Sequence, residues 1–402
     1  MKTIIKKIIL FSKSSIETLI DFLVKKKYLT AAFYLSKFFR YFFLREYFVK
    51  DIINYKDIDD LKSLVKKEKI LKLKRKINFN LKGKKIFFLG PKKQNFKNNW
   101  LNTAKNLHAK VYFFSTDDVS YKESNQKFLK NIEKFELNLI KKIKLIKPDL
   151  IFLDVNYLGN KNTINQNTMN KIKSLNISKL KITGWIGDIY SNEAFEIVKY
   201  WAESIDLVIY SEPMAKTIIT QPNNIINFKY INYCVNEKLY YPKKKKKLLF
   251  FSGTANISRY PYLIKILKNS VLFRNILVLY QNKYNKLSLT LSQYSKNICQ
   301  SQSVVNLSSR NIPYLRVLAG RAFEAIASKA LLIEEKNESI TKLFKPYRDF
   351  IPFDSVKELL IAINFAKRYP NLTKQICENA YNNYNNKYHS KYFWKKLFIL
   401  LN

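Results

Sequence analysis

The chain alternates short apolar runs with amphipathic stretches in two separate series, and no other feature of its 402 residues narrows the fold as much. The first series begins at Lys84. Ile86–Leu89 ends at Gly90-Pro91, a helix expected over Asn98–Leu107 leads to Val111–Phe114, and a long helix around Asn125–Ile146 leads through Pro148 to Leu150–Asp154. Leu180–Trp185 then ends in Gly187-Asp188, and a helix over Glu193–Trp201 precedes Leu207–Tyr210 and a further strand near Phe228–Ile231. Tyr240-Tyr241-Pro242 and the lysine run 243–247 read as a linker. The pattern restarts at Leu248–Phe251, followed by a helix over Tyr260–Leu267, strands at Ile276–Tyr280 and Val304–Leu307, a helix over Val317–Ser328 and a strand at Ala330–Ile333. Helices over Ser355–Ala366, Leu372–Asn386 and Tyr392–Leu400 close the chain. Apolar strands that alternate with helices form parallel sheets covered on both faces. The expected fold is therefore α/β: a basic helical extension over 1–80, then two Rossmann-like doubly wound domains over 81–241 and 242–402, with a ligand cleft between them.

Composition sharpens this reading at a few positions. Lys, Asn, Ile, Phe and Tyr are abundant together, and all are spelled by A- and T-rich codons. Arginine has largely given way to lysine, and only seven glycines remain. Lysine cannot replace arginine where a planar, two-pronged donor is required, and few residues replace glycine where the backbone needs it. No arginine lies between Arg75 and Arg259, whereas seven of the ten lie from Arg259 to Arg368. Gly90, Gly184, Gly187, Gly253 and Gly320 adjoin expected strand ends or helix starts. The net charge of +43 favours anionic surfaces, but the lysines are spread through every segment and form no stripe, so no nucleic-acid partner is expected. Cys234, Cys299 and Cys377 stand far apart and the histidines are two, His108 and His389, so neither a disulfide framework nor a metal site is expected and the compartment reads as reducing.

Parallel sheets bind ligands beyond the carboxyl ends of their strands. Phe250-Phe251-Ser252-Gly253-Thr254 is such an end: Gly253 lets backbone amides approach a phosphate, the next helix directs its positive end there, and Arg259 adds a bidentate contact. A purely structural turn fits the same residues. Arg321 and Glu324 stand three positions apart and share a helix face. They suit a clamp of cation for diphosphate and carboxylate for ribose hydroxyls, or an ordinary surface ion pair. On the first domain, Gly90 and Gly187 stand at strand ends, and Asp188 just past one of them suits a helix cap.

The order of these motifs resembles the CgeB-like (spore maturation protein B-like) family of GT-B glycosyltransferases over roughly residues 84–395. The similar residues are Arg321, Phe323-Glu324-Ala325, Leu331-Leu332-Ile333-Glu334, the turn Lys342–Pro346, Phe353-Asp354-Ser355 before Glu358-Leu359, and a Tyr-His-Ser at His389. Upstream, Gly184-Trp185-Ile186-Gly187-Asp188 and Phe251-Ser252-Gly253 with Arg259 are similar to the family's two strand-end motifs. The resemblance implies a GT-B fold and a nucleotide-sugar donor held in the second domain. Glu324 would hold the ribose, Arg321 and Arg259 the diphosphate, and Gly253, Thr254, Glu334 and Asn337 would complete the donor side. It implies no cofactor and no bound metal, with a glycan or lipid-linked acceptor on the first domain's side by Gly90 and Gly187, and Asp188 as the candidate base that takes the acceptor's proton. Two positions depart from the pattern. Arg316 stands where many GT-B enzymes carry a second glutamate, and Lys329 stands where a glycine usually follows the small-residue helix. A non-catalytic glycan- or nucleotide-binding protein and a sugar-nucleotide epimerase are the competing readings.

Residues 1–80 carry 20 Lys and Arg against 8 Asp and Glu. Lysines interrupt the first apolar stretch, so neither a signal peptide nor a membrane span is expected. The Phe- and Tyr-rich stretch Ala31–Val49 suits a helix at an anionic membrane surface, and equally a helix packed on the next domain. The expected location is the cytoplasm, either free or peripheral on the inner face of the membrane.

Overall fold

The computed structural model describes residues 55–73, 77–92, 97–116, 125–155, 164–187, 189, 192–215, 227–254, 259, 262–263, 265–266, 276–281, 289–308 and 316–402. Helix α1 spans Tyr55–Lys66. The first domain then runs β1 (Lys85–Gly90), a π-helical turn at Lys97–Leu101 continuing into α2 (Asn102–Asn106), β2 (Lys110–Ser115), α3 (Asn125–Ile146), β3 (Leu150–Asp154), α4 (Gln166–Lys173), β4 (Lys181–Ile186), α5 (Asn192–Ala202), β5 (Leu207–Tyr210) and β6 (Phe228–Tyr230). The second runs β7 (Lys247–Thr254), β8 (Ile276–Gln281), α6 (Leu291–Cys299), β9 (Ser301–Asn306), α7 (Gly320–Ala327), β10 (Leu331–Glu335), α8 (Glu338–Thr341), β11 (Ile351–Phe353), α9 (Val356–Arg368) and α10 (Pro370–Lys387). Helix α11 (Ser390–Leu401) ends the chain.

Each domain is one parallel sheet, with strand orders β2-β1-β3-β4-β5-β6 and β11-β10-β9-β7-β8. The order reverses between β1 and β3, and again between β7 and β9. Helices flanking such a reversal lie on opposite faces, which opens a crevice at the carboxyl ends of those strands. Strand alternation supplies both faces. In the first sheet Phe87, Leu89 and Ile151 meet Phe135, Leu139 and Ile143 of α3 and Met169 of α4, while Phe88 and Phe152 meet Trp100 and Ala104 on the other side. In the second, Phe251, Val305 and Ile333 meet α9, while Phe250, Val304 and Leu332 meet Phe323 of α7 and Tyr384 of α10.

The two ends of the chain cross over. Phe393, Trp394 and Leu397 of α11 return to the first sheet, where the Trp394 indole donates to Thr103 Oγ1 at 3.0 Å. Ile58, Leu61 and Val65 of α1, within the basic extension, pack on the second domain rather than on the one that follows them in sequence. Residues 1–54 lie outside the described part, including the aromatic stretch Ala31–Val49. Among the described residues no helix is long and apolar enough to cross a membrane. Glu237 ties the return of α11 to α10: its carboxylate accepts from Tyr384 Oη at 2.6 Å and from the Ser390 amide and hydroxyl at 2.7 Å each.

Some elements differ from expectation. The helix expected over Val317–Ser328 starts only at Gly320, because Ala319 is extended (φ −91°, ψ 145°). Helices α4 and α6 appear where no helix was expected. Their apolar residues are few, and their start signals are polar: the Asn165 side chain accepts from the Thr168 amide, and Thr290 forms a reciprocal capping box with Gln293.

Candidate functional site

The second domain's reversal point gathers most of the arginine-rich motif. Gly253 lies near the carboxyl end of β7 and Asn306 ends β9, the two strands between which the order reverses. A Cβ added at Gly253 would lie 3.6 Å from Arg259 Nη1 and 3.6 Å from Arg321 Nη2. Two guanidinium groups thus converge on the one position along this strand end that has no side chain. Arg321 reaches it from the first turn of α7. Its Nε donates to Tyr294 Oη at 3.2 Å, its Nη1 donates to Asn306 Oδ1 at 3.3 Å, and its guanidinium carbon stands 5.6 Å from the centre of the Phe251 ring.

Behind the arginines runs a buried polar chain. Tyr294 Oη donates to Glu324 Oε2 at 2.9 Å while receiving Arg321, so the tyrosine bridges the two residues of the expected clamp. Asn306 Nδ2 stands 2.9 Å from both carboxylate oxygens of Glu334, and Asn337 Nδ2 donates to Glu334 Oε1 at 3.1 Å. Glu324 is 7% exposed and Glu334 fully buried. Burial raises both carboxyls, Glu334 to about 8 against the opposing pull of Asn306, Arg321 and Asn337. Glu334 therefore holds Asn306, and Asn306 holds Arg321. Asn337 also caps α8, its Oδ1 accepting from the Ile340 amide.

The two departures resolve structurally. Arg316 points away from this chain of contacts: its Nη1 lies 2.7 Å from Asp354 Oδ1, its Nε 3.7 Å from Glu335 Oε1, and it donates to the Lys336 carbonyl at 2.8 Å. Lys329 adopts the left-handed conformation a glycine would favour (φ 49°), so the helix still ends sharply, and its ammonium is anchored on Glu378 Oε2 at 2.7 Å.

On the first domain, Gly90 ends β1 at its pairing with Ser115. Gly187 follows β4, where an added Cβ would lie 2.5 Å from Trp185 Cη2; the indole folds back over it, donates to Ser211 Oγ at 3.2 Å and packs on Trp100 at 4.2 Å between centres. Asp188 lies outside the described residues, bracketed by Gly187 and Ile189 just beyond β4. Thr254 closes β7. His108 sits in a turn before β2, and His389 caps α11 by accepting from the Lys391 amide at 3.2 Å. Among the described residues no group of three or more His, Cys, Asp or Glu is placed to hold a metal.

Three contributors escaped the sequence reading: Tyr294, Asn306 and Glu212. A polar residue ending an apolar strand was the available signal for Asn306. Glu212, 3% exposed just beyond β5, accepts from the Leu318 amide at 2.7 Å and from the Ser339 hydroxyl, both in the second domain.

Residues 270–398 match a family described as glycosyl transferase-like. None of the curated proteins matches the chain. Among solved structures, a glycosyltransferase from Rickettsia africae is similar at 12% identity and a TM-score of 0.51, covering 81% of this chain and 98% of its own. An alpha-glucosyltransferase solved with UDP-glucose and DNA containing an abasic site is similar at 12% identity and a TM-score of 0.53, covering 79% of this chain and 99% of its own. The likenesses give the fold, two Rossmann-like domains arranged as in GT-B glycosyltransferases. The family match lies wholly within residues 242–402, the part of the chain that carries the arginine-rich site.

Proposed function

We propose that the protein moves a sugar from a nucleotide-sugar donor, whose diphosphate lies against Arg259, Arg321 and Gly253, to a glycan or lipid-linked acceptor. The observation that carries this reading is the convergence of two guanidinium groups, 3.6 Å each from the Cβ position of Gly253, at the reversal point of the second sheet. Like charges are brought together where an anion is to be held, and a bidentate arginine suits a phosphate. Arg321 lies in the first turn of α7, the end of a helix that favours negative charge. Glu324, one turn further along α7 and oriented by Tyr294, is the proposed ribose ligand. Glu334 and Asn337 act behind it by fixing Asn306. The likeness to the CgeB-like branch belongs to this proposal.

In the reaction an acceptor hydroxyl oxygen bonds to the anomeric carbon as the bond from that carbon to the diphosphate oxygen breaks. The hydroxyl proton passes to Asp188 on the first domain, and the nucleoside diphosphate leaves with its negative charge against Arg321, Arg259 and the α7 amides. Charge stabilisation of this kind serves the leaving group without a metal.

Incubating the full-length protein with UDP-, GDP-, ADP- and CDP-sugars and following nucleoside diphosphate release tests the proposal. Release is expected with at least one donor, and Asp188→Asn is expected to lower it by about 10²–10⁴-fold with an unchanged melting temperature. Nucleotide binding without release from any donor would instead favour a non-catalytic binding protein.

A further inference from the structure

Among the described residues, Glu212 is the buried carboxylate of the first domain's strand ends whose described partners lie chiefly in the second domain. It follows Ser211 at the carboxyl end of β5, and Pro213 turns the chain away behind it. One oxygen accepts from the Leu318 amide at 2.7 Å; the other accepts from the Ser339 hydroxyl and, within the first domain, from the Met214 amide two residues on at 3.1 Å. Leu318 belongs to the extended segment 316–319 that feeds directly into α7, whose first turn carries Arg321. Ser339 lies on α8, capped by Asn337, which also donates to Glu334. Both attachment points of Glu212 are thus next to the polar chain that positions Arg321. Arg316 holds the other end of the segment through Asp354. Without Glu212 the Leu318 amide loses its partner, and hydrogen bonds to an ionised acceptor are among the stronger ones.

We propose that Glu212 is a positioning residue that fixes the entry to α7 only while the two domains are closed, so that nucleotide affinity at Arg321 depends on closure. This rests on the donor-site reading above and adds to it a first-domain residue that touches neither donor nor reacting atoms. Opening the domains would return the Glu212 carboxylate to water and leave the 316–319 segment to relax. Closure would rebuild the Leu318 and Ser339 contacts together and with them the placement of Arg321.

The test uses full-length protein and two readouts, small-angle X-ray scattering without nucleotide and calorimetric titration with UDP, GDP, ADP and CDP. Glu212→Ala is expected to enlarge the radius of gyration without nucleotide. It is also expected to weaken the nucleoside diphosphate that wild type binds by about tenfold or more. Glu212→Gln keeps one oxygen for the Leu318 amide and is expected to recover part of both effects. Ser339→Ala, which removes one donor and leaves the carboxylate, is expected to give a smaller loss in the same direction. Scattering from Glu212→Ala that superimposes on wild type overturns the proposal whether or not nucleotide binds. Equal nucleotide affinity in wild type and Glu212→Ala overturns it as well, whereas a wild type that binds none of the four diphosphates contradicts the donor-site reading.

Discussion

Arg321 concentrates the chemistry of this molecule because its three nitrogens have three different neighbours: Tyr294, Asn306 and the space above Gly253. Arg321→Ala is expected to weaken nucleoside diphosphate binding by roughly 1.5–3 kcal/mol, and Arg321→Lys to restore little, since an ammonium cannot reach Tyr294, Asn306 and a phosphate at once. Isothermal titration of both variants checks this; full recovery by lysine would mean that charge alone matters. Gly253→Ala places a methyl 3.6 Å from both arginines and 3.2 Å from Phe251 Cζ. It is expected to reduce nucleotide affinity while the melting temperature stays near wild type. Glu334 gives the site a pH signature. Its carboxyl is raised to about 8, so between its ordinary value and that point the folded protein keeps a proton that the unfolded chain has lost. Its contribution to stability is therefore full at low pH, falls as pH rises from roughly 5 to 8, and is flat above. Glu334→Gln is expected to lose less stability than wild type over that window, read as the change in melting temperature between its two ends; parallel profiles would contradict the raised carboxyl.

At the scale of elements, α7 is fixed at its start by packing and just past its end by an ion pair. An added Cβ at Gly320 would stand 2.4 Å from Tyr233 Cζ, and the Tyr233 hydroxyl is itself held by Asn99 Nδ2 at 2.6 Å. Gly320→Ala is therefore expected to cost about 1–3 kcal/mol by overpacking, read as a drop in melting temperature. At the other end, Lys329→Gly relieves a left-handed φ but gives up the Glu378 ion pair, whereas Lys329→Ala keeps the strain and loses the pair. The glycine variant is expected to be the more stable of the two by about 1 kcal/mol. Much of this architecture is legible in the sequence. Apolar runs such as Leu150–Asp154 and Leu331–Glu335 become central strands because only a sheet buried on both faces accepts them. The scarcity of arginine draws attention to the second domain, where Arg259 and Arg321 each stand 3.6 Å from a Cβ added at Gly253. What stays hidden has a physical reason. Tyr294 lies on a helix with too little apolar periodicity to announce which face is buried. Glu212 finds Leu318 and Ser339 only through the relative placement of two domains, which local spacing does not encode. The Tyr392–Leu400 pattern gives a helix but not the sheet it returns to.

The whole molecule is two sheets tied by crossings at Glu237 and Ser390, with α1 packed on the second. Deleting residues 1–80 would strip Ile58, Leu61 and Val65 from the second core, each worth about 1.5–3 kcal/mol when fully buried. Deleting residues 1–54 keeps all three of these side chains. The shorter deletion is therefore the one to compare with full-length protein on anionic vesicles. We propose that the full-length chain sediments with them at low salt and that the 55–402 fragment, melting near wild type, largely does not. Equal sedimentation would move the membrane-binding surface elsewhere. The account as a whole rests on a nucleotide's diphosphate lying between Arg259 and Arg321. Calorimetric titration of wild type and of an Arg259→Ala, Arg321→Ala double variant with the four nucleoside diphosphates tests that claim most directly. The account predicts that wild type binds at least one of them and that the double variant, folded by its melting curve, has lost at least about a hundredfold in affinity. Equal affinity in the two proteins, or no binding by either, would contradict it.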